Sequence, residues 1–102
     1  MKKVVITGIG MITPCGNGKQ ATWESLKAGK SGIGRITKFD PSRCTCQVAG
    51  ELKDFDAYAE QTGFLDRKAA RHMDLFSKYA VVASVEAWRD AGFTEENKPD
   101  MD

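Results

Sequence analysis

The residues of this chain best suited to chemistry are three cysteines, Cys15, Cys44 and Cys46, and a single histidine, His72. A thiol acts as a nucleophile when a base and an orienting group stand beside it. Cys15 lies in a Pro-Cys-Gly turn ahead of a possible helix, with no base near it in sequence, so packing beneath the turn is the favoured reading. The cysteines lack C-x-x-C spacing and form an odd set, which gives neither the four ligands of a closed zinc site nor a disulfide framework. They read as free cytosolic thiols, with Cys44 and Cys46 as small fillers on one face of a strand.

The glycines near the start pose a second question. Gly8 and Gly10 fit the first two positions of a dinucleotide-binding fingerprint, but Thr13 stands at the third, and the acidic residue expected about 20 positions on is replaced by "GKSGIGR". Neither Gly18-Lys19-Gln20 nor Gly29-Lys30-Ser31 completes a phosphate loop, and the second sits at a helix C-terminus, whose negative dipole end repels phosphate. These glycines are therefore expected to serve turn geometry.

The third feature is a cluster of cations. Arg67, Lys68, Arg71 and His72 fall within one short stretch, and on a helix Arg67 and Arg71 would share one face while Lys68 and His72 share the next. On spacing alone a solvated helix face, partly neutralised by Asp66 and Asp74, is favoured over a docking patch for an acidic protein or a phosphate-bearing ligand.

The elements that must position these residues alternate in type. "KVVITGI", Lys3 to Ile9, is β-branched and nearly continuous in apolar character, as a strand buried on both faces is. A Gly- and Pro-rich loop leads to a helix from about Lys19 to Ala28, stopped by Gly29. "GKSGIGRITKFDPSR" reads as an extended surface loop and "CTCQVAGEL" as a strand; a short helix starts at Asp54 or Asp56 and runs through Tyr58. Ala69, Met73, Phe76, Ala80, Ala83 and Ala87 recur at helical spacing, and the N-cap residues Asp66 and Asp74 predict two helices in tandem, the second a central one ending at Gly92. The tail "FTEENKPDMD" reads as a polar linker.

With 102 residues the chain is sized for one small domain, and a formal net charge of +1 gives no whole-chain attraction to nucleic acid or an anionic membrane. No apolar run reaches the roughly 18 residues of a membrane span. Val4 to Ile12, behind Lys2 and Lys3, is diluted as a signal-peptide core by Thr7, Gly8 and Gly10, and no A-x-A-like cleavage site follows.

Taken together, "VVITGIGMITPCGNGKQATWESLKAGKSGIGRITKFD", "VAGELKDFD" and "DRKAARHMDLFSKYAVVASVEAWRDAG" closely resemble, in order, the amino-terminal part of the β-ketoacyl-acyl-carrier-protein synthases, especially the type II condensing enzyme of fatty-acid synthesis. The resemblance implies an α/β chain forming the incomplete amino-terminal part of a thiolase-like fold, in which a mixed sheet lies between helices. Residues 1–102 would be the front of the first ketosynthase half-domain, in a cytoplasmic homodimer. The activity implied is condensation of an acyl thioester with malonyl-carrier protein, with loss of carbon dioxide, and without a redox or nucleotide cofactor or a metal.

In the family the acylated cysteine and two histidines come after the position of residue 102, so Cys15 and His72 are not catalytic and the chain alone is expected to be inactive. The segment resembling "DRKAARHMD" docks acyl carrier protein, which assigns carrier-protein binding to Lys68, Arg71 and His72. His72 departs from the usual lysine or arginine, and an ordinary imidazole carries little charge at pH 7. A non-catalytic ketosynthase-like subunit or a stand-alone carrier-binding module is the alternative. Apolar faces patterned for a larger sheet predict that the isolated chain is marginal and aggregation-prone.

Overall fold

The computed structural model describes residues 1–99. Among them, two short antiparallel ribbons are interleaved with helices: β1 (Ile12–Thr13), β2 (Gly16–Asn17), α1 (Lys19–Lys27), β3 (Gly34–Arg35), β4 (Val48–Ala49), α2 (Phe55–Thr62), α3 (Arg67–Ala70) and α4 (Leu75–Asp90). β1 pairs with β2 across the Pro14-Cys15 turn, in register Ile12 with Asn17, and β3 pairs with β4, in register Gly34 with Ala49. The three final residues of the expected linker lie outside the described residues.

Lys3 to Ile9, expected as the first strand, forms no strand with this chain. The Ile9 and Met11 amides instead donate to the carboxylates of Asp90 (3.0 Å) and Glu86 (2.7 Å) on α4. A β-branched run supplies propensity, but a strand needs a neighbour to take its hydrogen bonds, and no described segment lies alongside as that neighbour. Val4, Val5 and Ile6 are accordingly 96%, 72% and 83% exposed. Gly8 and Gly10 let the segment close on α4: a Cβ at Gly10 would sit 1.8 Å from the Ala83 carbonyl oxygen and one at Gly8 2.2 Å from that of Ala87. Gly8 and Gly10, expected as turn residues, instead serve the close approach of one backbone to another.

Helix ends follow the local chemistry. Gly29 (φ 70) and Gly92 (φ 82) take the left-handed conformation just beyond α1 and α4. Lys30 N donates to Ser25 O and Gly29 N to Leu26 O, and Phe93 N and Gly92 N repeat this pattern on Trp88 O and Arg89 O, so both helices end in Schellman motifs. After α4, Trp88 and Phe93 add the ring contact that accompanies the motif, with centroids 4.8 Å apart. Asp66 accepts from Ala69 N (3.2 Å) as the N-cap of α3, and Asp74 precedes α4, giving the tandem pair predicted.

Two expectations for the middle of the chain change. The surface loop contributes β3, and the strand expected over 44–52 shrinks to Val48–Ala49. Cys44 and Cys46 are exposed and precede that strand, so they are not its fillers; Cys44 N is held by Pro41 O (2.8 Å) in a turn. The short helix, expected through Tyr58, continues to Thr62 and stops at Gly63, again left-handed.

The core is small. Phe55 and Ala59 of α2 and Val82 of α4 are its buried apolar residues, with Ile12, Tyr58, Phe64, Leu65 and Tyr79 packed around them. Phe55 and Tyr79 meet edge to face at 4.7 Å. The central helix is covered on one side only: Val82 is fully buried, whereas Phe76, expected on the apolar face, is 73% exposed. The interruption between α3 and α4 breaks that face: Phe76 and Ala80 stand open, whereas Ala83 and Ala87 are covered by the Gly8–Gly10 backbone.

Candidate functional site

The cationic cluster occupies the corner between α2 and α4. Lys68 lies on α3, Arg71 is its C-cap, and His72 follows in the turn before α4; all are exposed. Helical hydrogen bonding tightens here, with His72 N on Ala69 O and Met73 N on Ala70 O, each three residues back. The regular i, i+4 faces expected for the cations therefore end with Ala70. Arg67 is separated from the others by its ion pair with Glu60 of α2. Among the described residues no carboxylate comes within ion-pair distance of Lys68, Arg71 or His72. Asp66, expected to neutralise the patch, spends a carboxylate oxygen on the α3 cap.

A cleft of about 630 Å³ opens beside this corner, lined by Asp56, Glu60, Asp66, Arg67, Ala70 and Lys78 among others. Its charges are mixed, so it offers neither sign a dominant field. Beyond it Lys68 and Arg71 stand exposed with His72 beside them in the chain, two fixed charges of the kind that steer an acidic partner.

Behind the corner, α4 organises the front of the chain through two carboxylates. Glu86 accepts from Met11 N and from Lys19 N, the latter at 3.0 and 3.2 Å to its two oxygens. Gly18, the N-cap of α1, has no side chain to cap the helix, and Glu86 does so from across the fold. Burial, then the charge of Glu86 and its hydrogen bond, raise the Tyr58 phenol above its ordinary 10.0. Asp90 accepts from Ile9 N and pairs with Lys19, and these contacts, Lys19 first, hold its carboxyl below the usual 3.8. The α1 N-terminus, where a phosphate would sit in a nucleotide-binding unit, is thus occupied by a side chain of the same protein. The sequence signal for Glu86 was one acidic residue in the apolar run "AVVASVEAW".

Cys15 is half-buried, with Sγ 4.0 Å from the Lys30 carbonyl oxygen and Cys15 O accepting from Ser25 Oγ at 2.8 Å. Among the described residues no three His, Cys, Asp or Glu side chains are grouped as a metal site, and no helix is long and apolar enough to cross a membrane.

The family model described as "Beta-ketoacyl synthase, N-terminal domain" matches residues 1–102. The chain is 53% identical over 90 residues to 3-oxoacyl-[acyl-carrier-protein] synthase 2 of Synechocystis sp., a match covering 88% of this chain and 21% of that protein. With the synthase 2 of Vibrio harveyi the identity is 42% over 98 residues, covering 94% and 23%. The solved structure of the ishigamide ketosynthase/chain length factor superposes with a TM-score of 0.77 at 33% identity, over 94% of this chain and 23% of that one. The chain spans about a fifth of the length of the curated relatives it matches.

Proposed function

The chain belongs to the β-ketoacyl synthase family and has the α/β fold of the front of a ketosynthase, and from that premise we propose that it is part of a 3-oxoacyl-[acyl-carrier-protein] synthase. Such an enzyme transfers an acyl group from carrier protein to a cysteine and joins it to the carbanion left when a malonyl thioester loses carbon dioxide. The chain is lengthened by two carbons, as in fatty-acid elongation. Residues 1–102 are the front of the first half-domain; the acylated cysteine and the two histidines belong to the segment that follows, in a cytoplasmic homodimer.

The role of this segment is to receive acyl carrier protein at Lys68, Arg71 and His72. The observation that carries the reading is that these side chains stand exposed on one corner, among the described residues free of any carboxylate within ion-pair distance, while Arg67 beside them is taken by Glu60. Lys68 and Arg71 supply the fixed charge. In the ketosynthase polypeptide that carries this segment, changing both Lys68→Glu and Arg71→Glu weakens carrier-protein binding by at least about tenfold at low salt and flattens its salt dependence. Unchanged affinity and salt slope would refute the assignment.

A second reading is a non-catalytic ketosynthase-like subunit. Reading the source gene past codon 102 separates the two. One cysteine and two later histidines in the family's contexts support the enzyme; a continuation without the cysteine supports the subunit.

A further inference from the structure

Residues 32 to 51 form an arm that leaves the body of the fold at Gly32, turns around through β3 and β4, and returns at Gly50. Both ends of the arm press on one proline. A Cβ at Gly32 would lie 2.6 Å from the Pro14 carbonyl carbon, and one at Gly50 would lie 2.9 Å from Pro14 Cγ. Lys53 sits at the same joint. Its ammonium donates to Pro14 O (3.2 Å), Gly32 O (3.3 Å) and Glu51 O (3.2 Å), while its own carbonyl accepts from Asn17 Nδ2 (2.7 Å).

An ammonium has three donors and no acceptor, and three converging carbonyls take all of them. Among the described residues no carboxylate is within ion-pair distance of Lys53, which is exposed, so carbonyl dipoles and solvent together answer its charge. Glu51, two residues earlier, does the reciprocal work: its carboxylate accepts from Thr37 N, Thr37 Oγ1 and Lys38 N on the outgoing side of the arm. These contacts, Thr37 N first, lower its carboxyl from the ordinary 4.5. The ribbon itself is only the short β3–β4 pair, extended by Ile36 N on Gln47 O, so side-chain bonds supply much of what positions the arm.

We propose that Lys53 is a latch: a tethered cation that fastens both ends of the arm to the Pro14 turn and, with Glu51, fixes the position of its exposed tip. The latch is local to the joint. Losing it frees the arm while α4 stays packed on its neighbours.

Hydrogen exchange of the ketosynthase polypeptide that carries this segment tests this, with α4 amides in the same sample as the reference. Lys53→Met keeps the aliphatic stem and removes every donor; it should speed exchange at Ile36, Thr37 and Lys38 roughly tenfold relative to α4, the scale of a lost charge-assisted hydrogen bond. Lys53→Arg keeps the charge and should open the arm less. Trypsin should cut at Lys38 and Arg43 faster in the methionine variant than in the parent chain. An unchanged arm-to-α4 ratio, equal acceleration of arm and helix, or an arginine variant as open as the methionine variant would each overturn the latch. So would a parent chain whose arm already exchanges like an unstructured peptide.

Discussion

Removing this segment from the rest of a ketosynthase is the perturbation with the largest consequence. A compact monomer of 11.2 kDa exposes roughly 5,700 Å², and a compact chain of this length has a radius of gyration of about 12.8 Å. This chain exposes 8155 Å² and has a radius of 16.6 Å, with extents of 52 × 35 × 27 Å. The excess, about 2,500 Å², is what one partner contributes to a large obligate interface. It is apolar where it matters, since Val4, Val5, Ile6, Phe76 and Trp88 all stand exposed against a core of Phe55, Ala59 and Val82. The isolated chain should therefore sediment as a mixture of species, bind a hydrophobic dye and melt over a broad range. Supplied in trans with the remaining part of a related synthase, it should form a one-to-one complex with a cooperative transition. A monodisperse monomer melting sharply, with an unfolding enthalpy near the roughly 70 kcal/mol of a normal 100-residue domain, would refute the reasoning.

Two further outcomes follow from the carboxylates of α4. In the trans complex, Glu86→Ala leaves the Met11 and Lys19 amides without their acceptor and should cost about 2–4 kcal/mol in urea denaturation; Glu86→Gln, which keeps one oxygen, should cost less, and equal midpoints for alanine and wild type would count against the clamp. Because the folded-state pKa of Asp90 lies below 3.8, its contribution to stability is present above that value and declines as pH falls through the lowered one; Asp90→Asn should flatten this acid limb, and an unaltered limb would contradict the pairing with Lys19 and Ile9 N.

Much of the local structure was legible in the residues because its causes are local. The glycine stops of α1 and α4 and the Asp66 cap depend on conformations and hydrogen bonds within a few positions, and a sequence displays those directly. The family, too, was readable from several segments in order. The candidate site was legible as residue types, but its arrangement was not: the tightening after Ala70 and the removal of Arg67 by Glu60 depend on turn geometry and on a contact with another helix, α2.

The sequence by itself determined which segments favour helix or extended chain, where α1 and α4 stop, and that the early glycines do not bind phosphate. Tertiary structure alone decided what those glycines face, that Glu86 caps a helix lacking a capping side chain, and that Lys53 joins three separate carbonyls. It also decided that Lys3 to Ile9 is no strand in this chain. Propensity belongs to a segment, whereas a hydrogen bond or a buried surface belongs to a pair, and the second member is named only by the fold.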